Sequence, residues 1–284
     1  MISYIQAILL GLAQGVTELF PISSLGHSVL LPPILGWHIN ESSPYFLTFL
    51  VATHLATALV LLGFFFKDWV LIVKGLFRSF KVRTVQEDDT YARLGWLLVV
   101  GTIPAGILGV LFQQKLQLLF ASPKIVAVFL VLNGFMLYFA EWLKKDKKEE
   151  GSSTNVDEKL GKLSWASSVK IGLAQCLALL PGFSRTGATL GEGLFLGLSH
   201  EEAARFSFLL ATPIILGAAV LKLPELVGAN SSIIVPTIIG FISAGIGAYF
   251  SVRFLTKYFQ TKSLRPFAAY CVAIGIVGLL FLTF

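Results

Sequence analysis

The stretch Gly11-Leu12-Ala13-Gln14-Gly15-Val16-Thr17-Glu18-Leu19-Phe20-Pro21-Ile22-Ser23-Ser24-Leu25-Gly26-His27 decides how the rest of the chain is read. It belongs to an apolar segment, residues 3–36, that proline, serine and glycine interrupt midway, so that two short apolar pieces flank a polar centre. A membrane-spanning helix needs about 20 apolar residues. Neither piece spans comfortably alone. Irregular backbone at membrane depth is tolerated only where protein buries it or where it lines a wet cavity, and the segment therefore reads as a re-entrant helical hairpin with its polar residues at the tip.

A second segment of the same design lies at 165–198. Gly11 to Gln14 recurs as Gly172 to Gln175, and each copy runs into a Pro-, Gly- and Ser-bearing stretch, Pro21 to His27 and Pro181 to Thr189. Thr48 to Thr53 pairs with Ser207 to Thr212. Gly101, Ala105 and Gly106 pair with Gly240, Ala244 and Gly245, and Ala127, Val131 and Gly134 pair with Ala268, Val272 and Gly275. The order is kept throughout, which makes the chain a duplicated unit. It is a single membrane domain with repeat 1 at 1–143, a polar linker at 144–162 and repeat 2 at 165–284.

The rest of the composition agrees. Of 284 residues, 55% are hydrophobic and 13% charged, against about 25% charged in a soluble domain. A soluble enzyme is excluded, and apolar runs beginning near Phe46, Leu94, Ile125, Phe206, Ile233 and Phe267 imply six to eight crossings. Cys176 and Cys271, both inside apolar runs, form neither a disulfide framework nor a CxxC motif. The N-terminus lacks the basic region of a cleavable signal and is expected to stay in the mature protein.

The net charge of +6 does not point to nucleic acid, because the cations sit in short loops. With both hairpins re-entrant, three full spans remain per half: 45–66, 94–112 and 125–143, then 204–221, 233–252 and 266–284. Loops 67–93 and 253–265 then share a side with the linker and together carry sixteen of the 22 basic residues. Lys115, Lys124 and Lys222 fall opposite. The positive-inside rule thus favours six spans with both termini outside. Three spans per half also invert the second copy. The expected fold is all-α and integral to the membrane: an inverted-topology repeat of six transmembrane helices plus two re-entrant hairpins, with its functional site near the midplane.

The tips hold the chemistry. Gln14 and Glu18, four residues apart, share a helix face, and Ser23, Ser24 and His27 follow Pro21. The other tip offers Ser184, Arg185, Thr186 and Thr189 among small residues. Burying an arginine at membrane depth costs at least about 2.5–3.5 kcal/mol, so an anion must face Arg185. Glu18 could serve, in an ion pair that merely joins the hairpins. A guanidinium fork also suits phosphate oxygens. With Ser184, Thr186, Thr189 and backbone N–H groups it makes a phosphate cradle opposite a Glu/Ser/His set fit for nucleophilic or acid–base work.

The strings Gly15 to His27 and Pro181 to Thr189 resemble the two signatures of the bacterial undecaprenyl-diphosphate phosphatases of the bacitracin-resistance type, and the resemblance runs over essentially the whole chain, including Gln175-Cys176-Leu177-Ala178-Leu179. It implies hydrolysis of the terminal phosphate of undecaprenyl diphosphate, which recycles the lipid carrier for cell-wall synthesis. It also implies location in the bacterial cell membrane and activation by Mg²⁺ or Ca²⁺ bound with the substrate diphosphate. The residues it implicates are Glu18, Ser24 and His27 of the first motif and Ser184, Arg185, Thr186 and Thr189 of the second. With Ser23 they give a catalytic set of Glu18, Ser24, His27 and Arg185 and a phosphate-binding set of Ser23, Ser184, Arg185, Thr186 and Thr189; from the residues alone, Glu18 with Gln14 could hold at most part of a hard-cation shell, completed by water and substrate oxygens. Three positions depart from the pattern. Gln14 replaces a frequent glutamate, Leu25 a frequent hydroxyl residue, and Glu192 a small residue.

Ser24 and His27 both remain open as nucleophile. A transporter or flippase of a polyprenyl phosphate lipid is the competing class, since it would use the same cradle without needing a nucleophile. The soluble-type acid phosphatase signature is present only as a fragment, Ser24-Leu25-Gly26-His27, with no histidine following Ser184-Arg185 nearby. The expected partners are the polyprenyl diphosphate and the bilayer, without nucleic acid; a homodimer is compatible with the sequence. His54 reads as a packed, hydrogen-bonded span residue, and Trp37, Trp69, Trp96, Trp142 and Trp165 as interfacial anchors.

Overall fold

The computed structural model describes residues 2–39, 43–86, 88–120, 122–144, 156–226 and 229–284. Lys145, Lys147 and Lys148 of the linker, and the side chain of Lys115, lie outside the described residues. All regular structure among the described residues is helical: α1 (Tyr4–Leu19), α2 (Ser24–Ile34), α3 (Pro44–Phe64), α4 (Phe66–Val82), α5 (Thr90–Phe120), α6 (Pro123–Trp142), α7 (Val156–Gly161), α8 (Trp165–Gln175), α9 (Arg185–Phe195), α10 (His200–Lys222), α11 (Ser231–Tyr258) and α12 (Arg265–Phe281).

The helix ends follow local chemistry. Ser3 and Gln6 form a capping box at α1, and Ser199 and Glu202 form another at α10, satisfying backbone N–H groups that have no intrahelical partner. Proline opens α3 and α6, where its missing N–H costs nothing. Pro21 and Pro181 follow the last turn of the α1 and α8 segments. The chain must leave the helix there, because the residue before a proline is pushed out of the helical region.

Five helices, within α3, α5, α6, α10 and α11, are long and apolar enough to cross a membrane, which makes the chain a multi-pass membrane protein. Helix α12, expected as a full span at 266–284, is apolar but has 17 residues, about 26 Å at 1.5 Å per residue. Region 67–93, expected as a loop, contains the 17-residue helix α4; its lysines and arginines concealed an apolar periodicity that the helix displays.

Helix α1 packs along α11, α8 along α5, and α6 along α12, while α3 and α10 lie against each other in the centre. Phe49, Phe206, Phe208 and Phe259 are the largest fully buried side chains. Trp142 and Trp165 are exposed as expected of interfacial anchors, but Trp96 is half-buried and donates to Ser79 Oγ at 2.9 Å, tying α5 to α4.

The turn before α9 is made possible by Gly182, whose φ of +114° suits only glycine. A Cβ there would also meet Phe129 Cβ at 2.6 Å. Gly36 likewise has positive φ, +67°, but nothing lies within 4 Å of its Cβ position. Gly182→Ala is therefore expected to lose about 2–4 kcal/mol of stability, strain plus overpacking, and Gly36→Ala only about 1 kcal/mol. Thermal unfolding of both variants in detergent measures the difference; equal losses would contradict the packing shown here.

Candidate active site

The tips of the two hairpins, α1–α2 and α8–α9, meet inside the protein. Asn133 of α6, fully buried, stands between them. Its amide nitrogen donates to the Pro21 carbonyl at 3.0 Å, and its oxygen accepts from the Ser184 backbone N–H at 2.9 Å. Each tip then begins a helix with a serine cap: Ser23 Oγ accepts from the Gly26 N–H at 3.1 Å and Ser184 Oγ from the Gly187 N–H at 3.0 Å. Ser23 holds φ +66°, a conformation rare for a residue with a side chain.

Glu18, in the last turn of α1, is where the tips converge. Its Oε1 accepts from Arg185 Nη2 at 2.8 Å. Its Oε2 accepts from Gln14 Nε2 at 3.0 Å and from Ser24 Oγ, and His54 Nε2 lies 3.1 Å from the same oxygen. Thr186 Oγ1 donates to the Glu18 backbone carbonyl at 3.0 Å. The Glu18 side chain is 6% exposed and that of Arg185 11%. Arg185 thus spends one nitrogen on Glu18. Its Nη1 is buried and has no hydrogen-bond partner among the described residues, so it is a donor held without an acceptor, and such a group is costly unless something binds it.

The two histidines exchange the expected places. His54, expected to be packing, faces Glu18 from α3 and lines the cavity. Its Nδ1 is 2.7 Å from the Leu50 carbonyl. Both ring nitrogens therefore face oxygens, and an imidazolium, with two N–H donors, would satisfy both. His27, expected at the anion, lies outside the cavity lining. Its Nδ1 is 2.7 Å from the Ser23 carbonyl, and its Nε2 is 2.8 Å from the Tyr270 hydroxyl, on which the ring also stacks. A neutral ring that donates from Nδ1 and accepts the tyrosine O–H at Nε2 has both nitrogens occupied.

The cavity, of about 220 Å³, has a polar edge of Glu18, Ser23, Ser24, His54, Ser184 and Arg185. The remaining wall is apolar, from Leu25, Leu47, Leu50, Val51, Ala178, Phe183, Ile214, Ile215 and Ala218. Thr186 and Thr189, expected in the cradle, are buried behind it. Thr189 Oγ1 is 2.6 Å from Ser207 Oγ and donates to the Arg185 carbonyl at 2.9 Å, so it braces α9 against α10. Glu192 is on α9, away from the cavity.

A divalent cation held by protein fits this donor set poorly. Both oxygens of Glu18 are engaged, and a cation there would sit beside the Arg185 guanidinium and the His54 ring. No group of three His, Cys, Asp or Glu among the described residues could hold a metal. Gln14 Oε1, buried and without a partner, is the one free oxygen at this place, short of the six or more oxygens a hard cation takes.

The family described as Bacitracin resistance protein BacA matches residues 7–277. The chain belongs to that family. A protein of Mycolicibacterium paratuberculosis named undecaprenyl-diphosphatase is 46% identical over 99% of this chain and 98% of its own length. One of Chromobacterium violaceum named undecaprenyl-diphosphatase 2 is 47% identical over 98% of both, and one of Acidiphilium cryptum named undecaprenyl-diphosphatase is 42% identical over 98% of both.

His54, Asn133 and Tyr270 were missed in the sequence. A signal existed for His54, since an ionisable residue inside a span is a functional candidate by default; Asn133 gave only its polarity. Asn133→Leu leaves the Ser184 N–H unpaired and the Pro21 carbonyl with only the weak Cys271 S–H at 3.9 Å, and a buried group that loses its partner costs about 1–3 kcal/mol. The variant is expected to lose about 2–5 kcal/mol in chemical denaturation, and a loss below 1 kcal/mol would show that the tips meet without this clamp.

Proposed function

We propose that the chain removes the terminal phosphate of undecaprenyl diphosphate, giving undecaprenyl phosphate and inorganic phosphate, at the cavity between the hairpin tips. The observation that carries this reading is the buried, unpartnered Arg185 Nη1 at the polar edge of a cavity whose other wall is apolar. One cation more than the single carboxylate, Arg185 and His54 against Glu18, gives that edge a positive balance suited to an anionic headgroup. The apolar wall suits the first isoprene units. The names of the relatives agree.

Ser24 is the better placed nucleophile, because its hydroxyl already donates to Glu18 while both nitrogens of His27 are occupied. In the proposed step Ser24 Oγ attacks the terminal phosphorus in line as its proton passes to Glu18 Oε2. The bond from that phosphorus to the bridging oxygen breaks, and undecaprenyl phosphate leaves with the bridging oxygen and the proton that Glu18 hands to it, which returns Glu18 to a carboxylate. Water, giving a proton to the Glu18 carboxylate, then attacks the Ser24–phosphate ester; the phosphorus–Oγ bond breaks, Glu18 returns the proton to Ser24 Oγ, and inorganic phosphate is released. Arg185 and Ser184 hold the phosphoryl oxygens, where positioning and charge do most of the work in phosphoryl transfer. Ser23 orients the tip. The Mg²⁺ or Ca²⁺ of the resemblance enters the proposal only as a counter-ion carried by the diphosphate.

The proposal includes an inverted repeat, with α12 as a sixth span and both termini on the outer face. It is supported by the crossed packing, in which α1 of one half leans on α11 of the other and α8 leans on α5.

Phosphate release by purified protein in detergent tests the reading. Glu18→Gln, Ser24→Ala and Arg185→Ala are each expected to lower kcat by at least about 10²–10³, and His27→Gln by less than tenfold. A folded protein that releases no phosphate would leave the carrier reading instead.

A further inference from the structure

Helix α4 takes no part in the cavity and is too charged to count among the spans. At about 100° per residue its 17 residues divide into three lengthwise sectors. The first faces protein: Ile72, Gly75 and Ser79 are buried against α5, and Asp68 accepts from Arg205 of α10 at 3.1 Å. The second is apolar and exposed, with Phe66 62%, Phe77 73% and Phe80 76% accessible. The third, beside it, is a file of Lys67, Lys74 and Lys81. Residues seven apart drift by only about 20° around a helix, so the three ammonium groups lie in one row.

Two of the described acids nearest this row are taken. Asp68 holds Arg205, and Asp89 holds Arg78 at 2.5 Å. Asp88, in the turn after α4, is exposed. The three lysines have no ion-pair partner among the described residues. Water does not suit the phenylalanines, and hydrocarbon does not suit the lysines. One environment accepts both neighbouring sectors: the boundary where acyl chains meet headgroups, and a row of unneutralised cations selects headgroups that are anionic.

We propose that α4 is an interfacial helix whose row of Lys67, Lys74 and Lys81 binds the headgroups of anionic phospholipid, with Phe66, Phe77 and Phe80 in the adjoining acyl layer. The occupant is the bilayer itself. The inference is independent of the reaction proposed above.

Photo-crosslinking tests it locally. The full-length protein is reconstituted in phosphatidylcholine bilayers containing a trace of photoactivatable phosphatidylglycerol or phosphatidylcholine, and adducts on residues 66–82 are counted by mass spectrometry. Each lysine near an anionic surface changes affinity about fivefold, so phosphatidylglycerol adducts on α4 are expected to exceed phosphatidylcholine adducts by at least about tenfold. The triple variant Lys67→Gln, Lys74→Gln, Lys81→Gln is expected to abolish the preference on α4, leave the adducts on residues 253–265 unchanged, and release phosphate in neutral detergent at the parent rate. About 1 M salt, where the screening length falls to about 3 Å, should abolish the preference of the unaltered protein too. Equal labelling by the two lipids, or a preference that survives both the triple variant and salt, overturns the proposal.

Discussion

The structure depends on one contact, between the Glu18 carboxylate and the Arg185 guanidinium, brought together from segments 167 residues apart. Away from water two opposite charges at 2.8 Å attract strongly, yet both pay a desolvation cost that a single contact rarely repays. Glu18 meets that cost with three further side-chain partners, Gln14, Ser24 and His54. Arg185 does not. The asymmetry, a saturated carboxylate facing a guanidinium with one nitrogen idle, leaves attraction to spare for an anion.

The scaffold exists to hold that asymmetry in place. Two helices are stopped by proline, two new ones start from serine caps, and Asn133 binds one backbone group of each tip. Thr186 fastens α9 to the end of α1, and Thr189 fastens it to α10. These hydroxyls, which resemblance assigns to phosphate, lie one layer behind the cavity and fix the backbone that carries Arg185. Such supporting bonds keep a reacting constellation within the fraction of an ångström that catalysis by positioning requires.

Much of this was legible in the sequence, for physical reasons. Broken apolar segments with polar centres have few places to go in a bilayer, so the hairpins and their tips could be read from proline, glycine and serine alone. A buried arginine demands an anion, so Arg185 with Glu18 could be read too. The histidines could not. Whether a ring faces a carboxylate or a tyrosine depends on packing across the bundle, and Glu18 to His54 or His27 to Tyr270 are contacts between helices that no local pattern encodes. Asn133 was invisible for the same reason, since its two partners are backbone atoms of distant turns. Helix α4 was hidden because its charges were counted as a loop's when they mark one sector of an amphipathic helix.

The account makes Ser24, activated by Glu18 and facing a phosphoryl group held by Arg185, the atom that bonds to phosphorus. Rapid acid quench of the protein turning over undecaprenyl diphosphate labelled in its terminal phosphate, followed by peptide mapping, tests this most directly. The predicted result is an acid-stable phosphate on Ser24 that is absent from Arg185→Ala. Label that is acid-labile and maps to His27 would contradict it.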